Sequence, residues 1–271
     1  MMSKKPKVLH PIAGRPMLAQ LLATVDALGE EISVERRIVV VSPGNGEAIQ
    51  AAVPGIELAV QDPPLGTGHA VMATGEQLSG FSGDVLVLFA DSPLVSVETL
   101  GAMLAARRGA SDPAVVVMGF RPQDSAEYAR LILDDRGNLQ RIVEHRDASE
   151  AEREIDLCNS GFMAIDGAIL AQLLDGVGND NAKGEYYLTK IVEIANRMGR
   201  RCAVVEAGEI EAWGVNSRDQ LAQAEAVMQN RLRHAAMAAG ATARMAVAAA
   251  AGRVLPPVVP LRQPPRALEL D

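Results

Sequence analysis

The chain has 271 residues, 48% hydrophobic and 22% charged, a balance that fits one sizeable folded domain, alone or with an appendage, and argues against disorder over most of its length. Its formal net charge of -8 argues against a general affinity for nucleic acid or anionic membranes, since both need a basic face. Two cysteines, Cys158 and Cys202, suit buried thiols in a reducing, cytoplasmic compartment rather than a disulfide framework.

The basic start, Ser3-Lys4-Lys5-Pro6-Lys7, leads into His10, Pro11, Gly14 and Arg15 rather than a continuous apolar segment, so no secretion signal is expected. A helix is predicted from Met17 to Leu28. Short β-rich runs follow at Arg37 to Val41, Ile56 to Val60, Asp84 to Phe89 and Ala114 to Met118, and their continuous apolar character predicts strands covered on both faces. Helical patterns from His69 to Leu78 and from Val97 to Arg107 alternate with them, so the fold class is α/β, a Rossmann-like sheet.

The middle changes character. Ala129 to Leu133 and Leu139 to Glu144 flank Asp134-Asp135-Arg136-Gly137-Asn138, which predicts an inserted antiparallel hairpin. A strand near Phe162 to Ile165, a helix from Tyr187 to Met198 and a strand from Ala203 to Glu206 complete the domain, taken as residues 1–216. A helix over 217–240 follows, capped by Ser217 or Asn216. Residues 241–271 are biased to Ala, Arg and Pro and are expected to be irregular or disordered. The alanine run at Ala246 to Ala251 lies between Arg244 and Arg253, too short for a membrane span of ~20 residues. No hexapeptide repeat of a left-handed β-helix occurs.

Four separated segments carry polar chemistry: Pro6-Lys7-Val8-Leu9-His10 with Gly14-Arg15-Pro16-Met17; Gln61 with Gly66-Thr67-Gly68-His69-Ala70; Asn181-Ala182-Lys183-Gly184-Glu185-Tyr186-Tyr187-Leu188-Thr189; and Trp213-Gly214-Val215-Asn216-Ser217-Arg218. In this order they resemble the N-acetylglucosamine-1-phosphate uridylyltransferase domain of bacterial bifunctional enzymes that make UDP-N-acetylglucosamine, over roughly residues 4 to 240. The resemblance implies a nucleotidyltransferase sheet and a magnesium-dependent transfer between UTP and N-acetylglucosamine 1-phosphate, in cell-envelope precursor synthesis.

It also implies site residues. Lys7 contacts the UTP phosphates, where a point charge suits a polyphosphate spreading charge in the transition state. Asp91 stands just beyond an apolar strand, where open α/β sheets bind ligands, and would hold Mg2+ with Asn216. Taken singly, either residue could merely cap a helix. Gln61, Gly66 and Thr67 would read the base. Ala129, Glu144, Asn159 and Asn216 would face the sugar; a solvated carboxylate and a turn asparagine are the alternatives for Glu144 and Asn159. His69 is read as a helix-start residue, and Tyr186 and Tyr187 as core aromatics beside the sugar pocket.

The chain also departs from the family. Family members carry a strand and a Leu-Ala-Ala-Gly-x-Gly-Thr-Arg-Met loop ahead of the lysine, and this chain starts at that last methionine. The sheet is therefore expected to lack its first strand and the site some of its phosphate-binding amides. Phe89-Ala90-Asp91 replaces Tyr-Gly-Asp, and Tyr128-Ala129-Arg130 replaces Tyr-Gly-Arg. Acetyl transfer, and the trimer built by a β-helix, are not expected. A relative with another nucleotide or sugar, and a fragment that binds nucleotide without turning it over, remain open alternatives.

Overall fold

A computed structural model describes residues 5–241 apart from 31, 126 and 182. The expectations for 242–271 lie outside the described residues. Pro6 fixes the entry to a single 3-10 turn at Lys7–Leu9, and a two-residue ribbon follows, β1 (Pro11–Ile12) against β2 (Arg15–Pro16). The ribbon turns on Ala13 and Gly14, both at positive φ.

Helix α1 (Met17–Ala27) leads to β3 (Ile38–Val41), α2 (Gly46–Ala52) and β4 (Glu57–Val60). Then come α3 (Thr67–Met72), β5 (Asp84–Val87), α4 (Val97–Arg107) and β6 (Val115–Phe120). The inserted hairpin is β7 (Arg130–Leu133) and β8 (Leu139–Val143). It is followed by α5 (Glu150–Arg153), β9 (Cys158–Asp166), α6 (Gly167–Asp175), α7 (Lys190–Arg197), β10 (Cys202–Glu206) and α8 (Arg218–Ala238).

The sheet is mixed rather than uniformly parallel. Strand order runs β10-β6-β9-β7-β8, with β5 also on β9; only β10 and β6 are parallel neighbours. The nine-residue β9 organises it. Its second half lies between β5 and β6, and its first half between β6 and β7. Strand β6 is buried along its whole length, as its apolar run predicts, and Gly119 in it admits Val204, Leu131 and Leu157.

Strands β3 and β4 form a parallel pair of their own, outside this sheet. Among the described residues, β3 pairs only with β4 and β5 only with β9. Strand β5 is half-buried throughout, so the two-sided cover predicted for its apolar run is incomplete. The β3–β4 pair is held to the rest by side chains. Leu9, Leu18, Val41, Ile49, Val53 and Ile56 form one cluster, joined by Ala90 beyond β5.

Two helices differ from the sequence reading. The element expected from His69 to Leu78 ends at Met72, because Thr74 turns its hydroxyl back to the Val71 carbonyl at 2.7 Å and Gly75 follows. The helix expected from Tyr187 begins at Lys190. Helix α8 carries the expected cap, a reciprocal Ser217–Gln220 capping box. It packs on the ribbon through Ala224, Ile12, Met17, Leu94 and Val215, and Glu225 accepts from the Ala13 amide at 2.6 Å. Both cysteines are buried free thiols. Among the described residues no helix is long and apolar enough to cross a membrane.

Candidate functional site

Two buried anchors aim the first segment. Leu9 enters the β3–α2 cluster beside Ala90, and Ile12 enters the cluster of Leu94 and Val215. At about 1.5–3 kcal/mol for each fully buried side chain, this fixes the intervening backbone. The Val215 amide donates to the Asp91 carbonyl at 2.8 Å, which brings Asn216 beside Asp91. Lys7 then reaches both: its Nζ lies 2.5 Å from Asp91 Oδ2 and 2.7 Å from Asn216 Oδ1. The structure thus joins the three residues predicted for phosphate and metal. Two hard oxygen donors converging on one point suit a divalent cation that keeps water or phosphate oxygens in its remaining positions.

The second group is the loop after β4. Gln61 Nε2 donates to the Gly66 carbonyl at 2.9 Å and lies 3.3 Å from His69 Nδ1. Gly66 has φ +105°, and a Cβ there would stand 2.7 Å from the Tyr186 carbonyl. The reason is a zipper between two loops. Gly68 N donates to Tyr186 O and Tyr186 N to Leu65 O, both at 2.7 Å, while Leu188 N donates to Thr67 Oγ1 at 3.0 Å. The close approach that Gly66 permits is thus made by the chain itself, and the Thr67 hydroxyl is engaged in it. Asn181 shapes the partner loop, its Oδ1 accepting from the Lys183 and Glu185 amides.

The third group forms one row across three strands. Arg130 pairs with Val143 on one side and with Cys158 on the other. One position further out, Ala129 lies between Glu144 and Asn159, and its carbonyl accepts from Asn159 N at 2.8 Å. Glu144 is held by Thr189 Oγ1 at 3.4 Å. Burial raises the Glu144 carboxyl above its ordinary range, opposed by the Thr189 hydrogen bond and by Lys183. Asn159 Oδ1 accepts from Gly161 N at 3.0 Å, the turn role that its sequence context allows. Gly161 has φ +91°, and a Cβ there would strike the Phe89 ring, which stacks on Phe162.

These contacts tie the groups together. Thr67 holds Leu188 and Thr189 holds Glu144, so the 185–189 segment spans the second and third groups; Phe89, two residues before Asp91, reaches β9 near Asn159. All lie at the end of the sheet where β5 and β8 finish and β7 and β9 begin. Tyr187 is a core residue, and Tyr186 is partly buried against the core while its ring approaches His69. Three contributors escape sequence reasoning. Thr189 lies inside a polar motif that gives it no role of its own, while Phe89 and Arg130 stand in motif positions to which the sequence assigns no contact.

Comparison with known proteins completes the picture. A family model described as MobA-like NTP transferase domain matches residues 1–154. The "Bifunctional protein GlmU" of Rhodospirillum rubrum is 54% identical over 242 residues, 89% of this chain and 53% of that protein. Proteins of the same name from Paramagnetospirillum magneticum and Novosphingobium aromaticivorans are 52% and 51% identical, over 89% and 87% of this chain. The chain therefore spans about half the length of the curated relatives it matches. A solved CMP:2-keto-3-deoxy-manno-octonic acid synthetase complexed with CTP shares the fold at TM-score 0.60 and 17% identity, covering 85% of this chain and 95% of that one. With more than half of its residues matched by that family model, the chain belongs to the MobA-like NTP transferase family.

Proposed function

We propose that this chain acts as an N-acetylglucosamine-1-phosphate uridylyltransferase, using Mg2+ to form UDP-N-acetylglucosamine and pyrophosphate from UTP and N-acetylglucosamine 1-phosphate. The observation that carries the reading is the convergence of Lys7 Nζ, Asp91 Oδ2 and Asn216 Oδ1 on one point, in a chain half-identical to proteins named GlmU. A sugar-phosphate oxygen attacks the α-phosphorus of UTP. The bond from that phosphorus to the bridging oxygen of the β-phosphate breaks, and pyrophosphate leaves with the electron pair. No covalent protein nucleophile is required, so the residues contribute placement and charge.

Asp91 and Asn216 would hold the cation, which supplies positive charge to the phosphate oxygens. Lys7, between them, would move onto the polyphosphate as its charge spreads. Gln61 keeps its side-chain carbonyl for the base while its amide stays on Gly66. Glu144 and Asn159, flanking Ala129, offer an acceptor and an amide to sugar hydroxyls and the acetamido group. Soluble substrates fit a chain with net charge -8, for which no nucleic-acid or membrane partner is proposed.

The test is pyrophosphate release with UTP, N-acetylglucosamine 1-phosphate and Mg2+, set against CTP, GTP and other sugar 1-phosphates. Release confined to UTP with that sugar supports the reading, and preference for another pair moves the chain to a sister specificity. A second reading, nucleotide binding without turnover, is favoured by the half-buried β5 with its one-sided pairing. UTP binding at equilibrium with no pyrophosphate released would establish it.

A further inference from the structure

Arg130 is 1% exposed and heads the largest fully buried side chains. Among the described residues, the hydrogen bonds its guanidinium donates end on neutral acceptors: the Tyr128 carbonyl, the Arg153 carbonyl at 3.2 and 3.3 Å, Ser125 Oγ at 3.2 Å and Cys158 Sγ at 3.8 Å. Burying a cation without a carboxylate partner is costly, and an apolar side chain of similar length would fill the same space at lower cost. The planar fork does what an apolar residue cannot. It ties the stretch leading into β7 to the α5 end and the β9 start, which follow the hairpin 23 and 28 positions on from Arg130.

Those segments frame the Glu144–Ala129–Asn159 row. Tyr128 directly precedes Ala129, Cys158 directly precedes Asn159, and Arg130 itself pairs with Val143, the neighbour of Glu144. The α5 end is tied to the hairpin a second time, through Arg141 and Glu152 at 2.5 Å. We propose that Arg130 is a positioning residue for the sugar-phosphate side of the site, fixing the spacing of Ala129, Glu144 and Asn159 from behind the sheet without touching the ligand. This rests on the proposed role of that row as the sugar-binding wall.

The test pairs two variants with two measurements. Arg130→Met fills the volume without charge, and Arg130→Lys keeps the charge without the fork. Calorimetry with UDP-N-acetylglucosamine and with UTP separates the row from the nucleotide loop. Each variant is expected to bind UDP-N-acetylglucosamine about tenfold more weakly, the scale of one mispositioned hydrogen bond to a charged group, and UTP within about twofold. Amide hydrogen exchange in the folded variant should accelerate at residues 128–130 and 157–159 more than in β6 and β10.

Equal weakening of both ligands, or unchanged exchange across those amides, would overturn the inference. If Arg130→Met does not fold, Arg130→Lys carries both measurements. If the unmodified chain binds neither ligand, the uridylyltransferase reading fails, and the exchange rates alone decide whether Arg130 sets the row.

Discussion

Lys7 Nζ bridges Asp91 Oδ2 at 2.5 Å and Asn216 Oδ1 at 2.7 Å, joining oxygens 84 and 209 positions away in the sequence. Oxygens brought this close repel unless positive charge lies between them. The ammonium supplies that charge within the chain, and a divalent cation would compete for the same two donors.

Asp91→Asn keeps the shape of the donor and removes its charge. Affinity for Mg2+ or Mn2+ should fall at least about tenfold, and pyrophosphate release on the order of 100-fold, because fixed charge facing the transferring phosphate supplies much of the barrier lowering in such reactions. Lys7→Met should leave cation binding equal or tighter while weakening UTP. Titration calorimetry with each ligand separately reads both effects. Unchanged cation affinity in Asp91→Asn would show that the ion is held elsewhere.

Glu144 should impose a pH dependence of its own. Burial raises its folded-state pKa above the unfolded value, so the native state holds the proton more tightly. Its contribution to stability is fully present below the ordinary glutamate range and is lost as pH rises through the raised native value. Glu144→Gln abolishes this titration. As pH rises from the ordinary glutamate range through the raised native range, the melting temperature of the variant should therefore gain on that of the unmodified chain, then run parallel to it. A difference that is flat or shrinks with pH would contradict the assignment.

The strands and the cap of α8 are legible in the sequence because each rests on local pattern: apolar runs, the Asp134 to Asn138 turn, and Asn216 or Ser217 ahead of a helical run, of which Ser217 caps. Lys7, Asp91 and Asn216 are legible as members of motifs, and their convergence comes only with tertiary structure. What stays hidden depends on pairing between remote segments. The separate β3–β4 sheet and the antiparallel placement of β5 on β9 follow from edge choice, which no single strand encodes. Sequence alone makes Gly66 a residue that leaves room for a base, whereas the backbone that approaches it is that of Tyr186. The buried Arg130 looks like any polar interruption of a strand, since its acceptors come from segments on either side of the hairpin.

The zipper between the loops at 65–68 and 186–188 predicts two substitution effects. Gly66→Ala must place a Cβ 2.7 Å from the Tyr186 carbonyl with φ at +105°, a combination expected to cost about 1–3 kcal/mol. Thr67→Val removes the acceptor for Leu188 N and should cost about 1–2 kcal/mol. Denaturant melts would give both values. Because the loops share one set of hydrogen bonds, the two losses should not add in the double variant. Full additivity would mean that the loops hold their shapes independently.

The thiols give a test of packing that needs no ligand. Burial pushes the Cys202 thiol up to about 12, against small opposing effects of a Val115 backbone hydrogen bond and Arg200. Burial also raises Cys158, with the nearby Arg130 guanidinium pulling the other way. The thiolate is the reactive form, so at pH 8 about one part in ten thousand of Cys202 is nucleophilic even before access is considered. Neither cysteine should be alkylated by iodoacetamide in the native protein on the timescale of minutes, and both should react after denaturation. Cys158 carries the sharper expectation. Its sulfur accepts from Arg130, so Arg130→Met both removes the pull toward thiolate and loosens the segments around it. If packing protects Cys158, that variant should label faster despite its more basic thiol; slower labelling would mean that thiolate chemistry, rather than access, sets the rate.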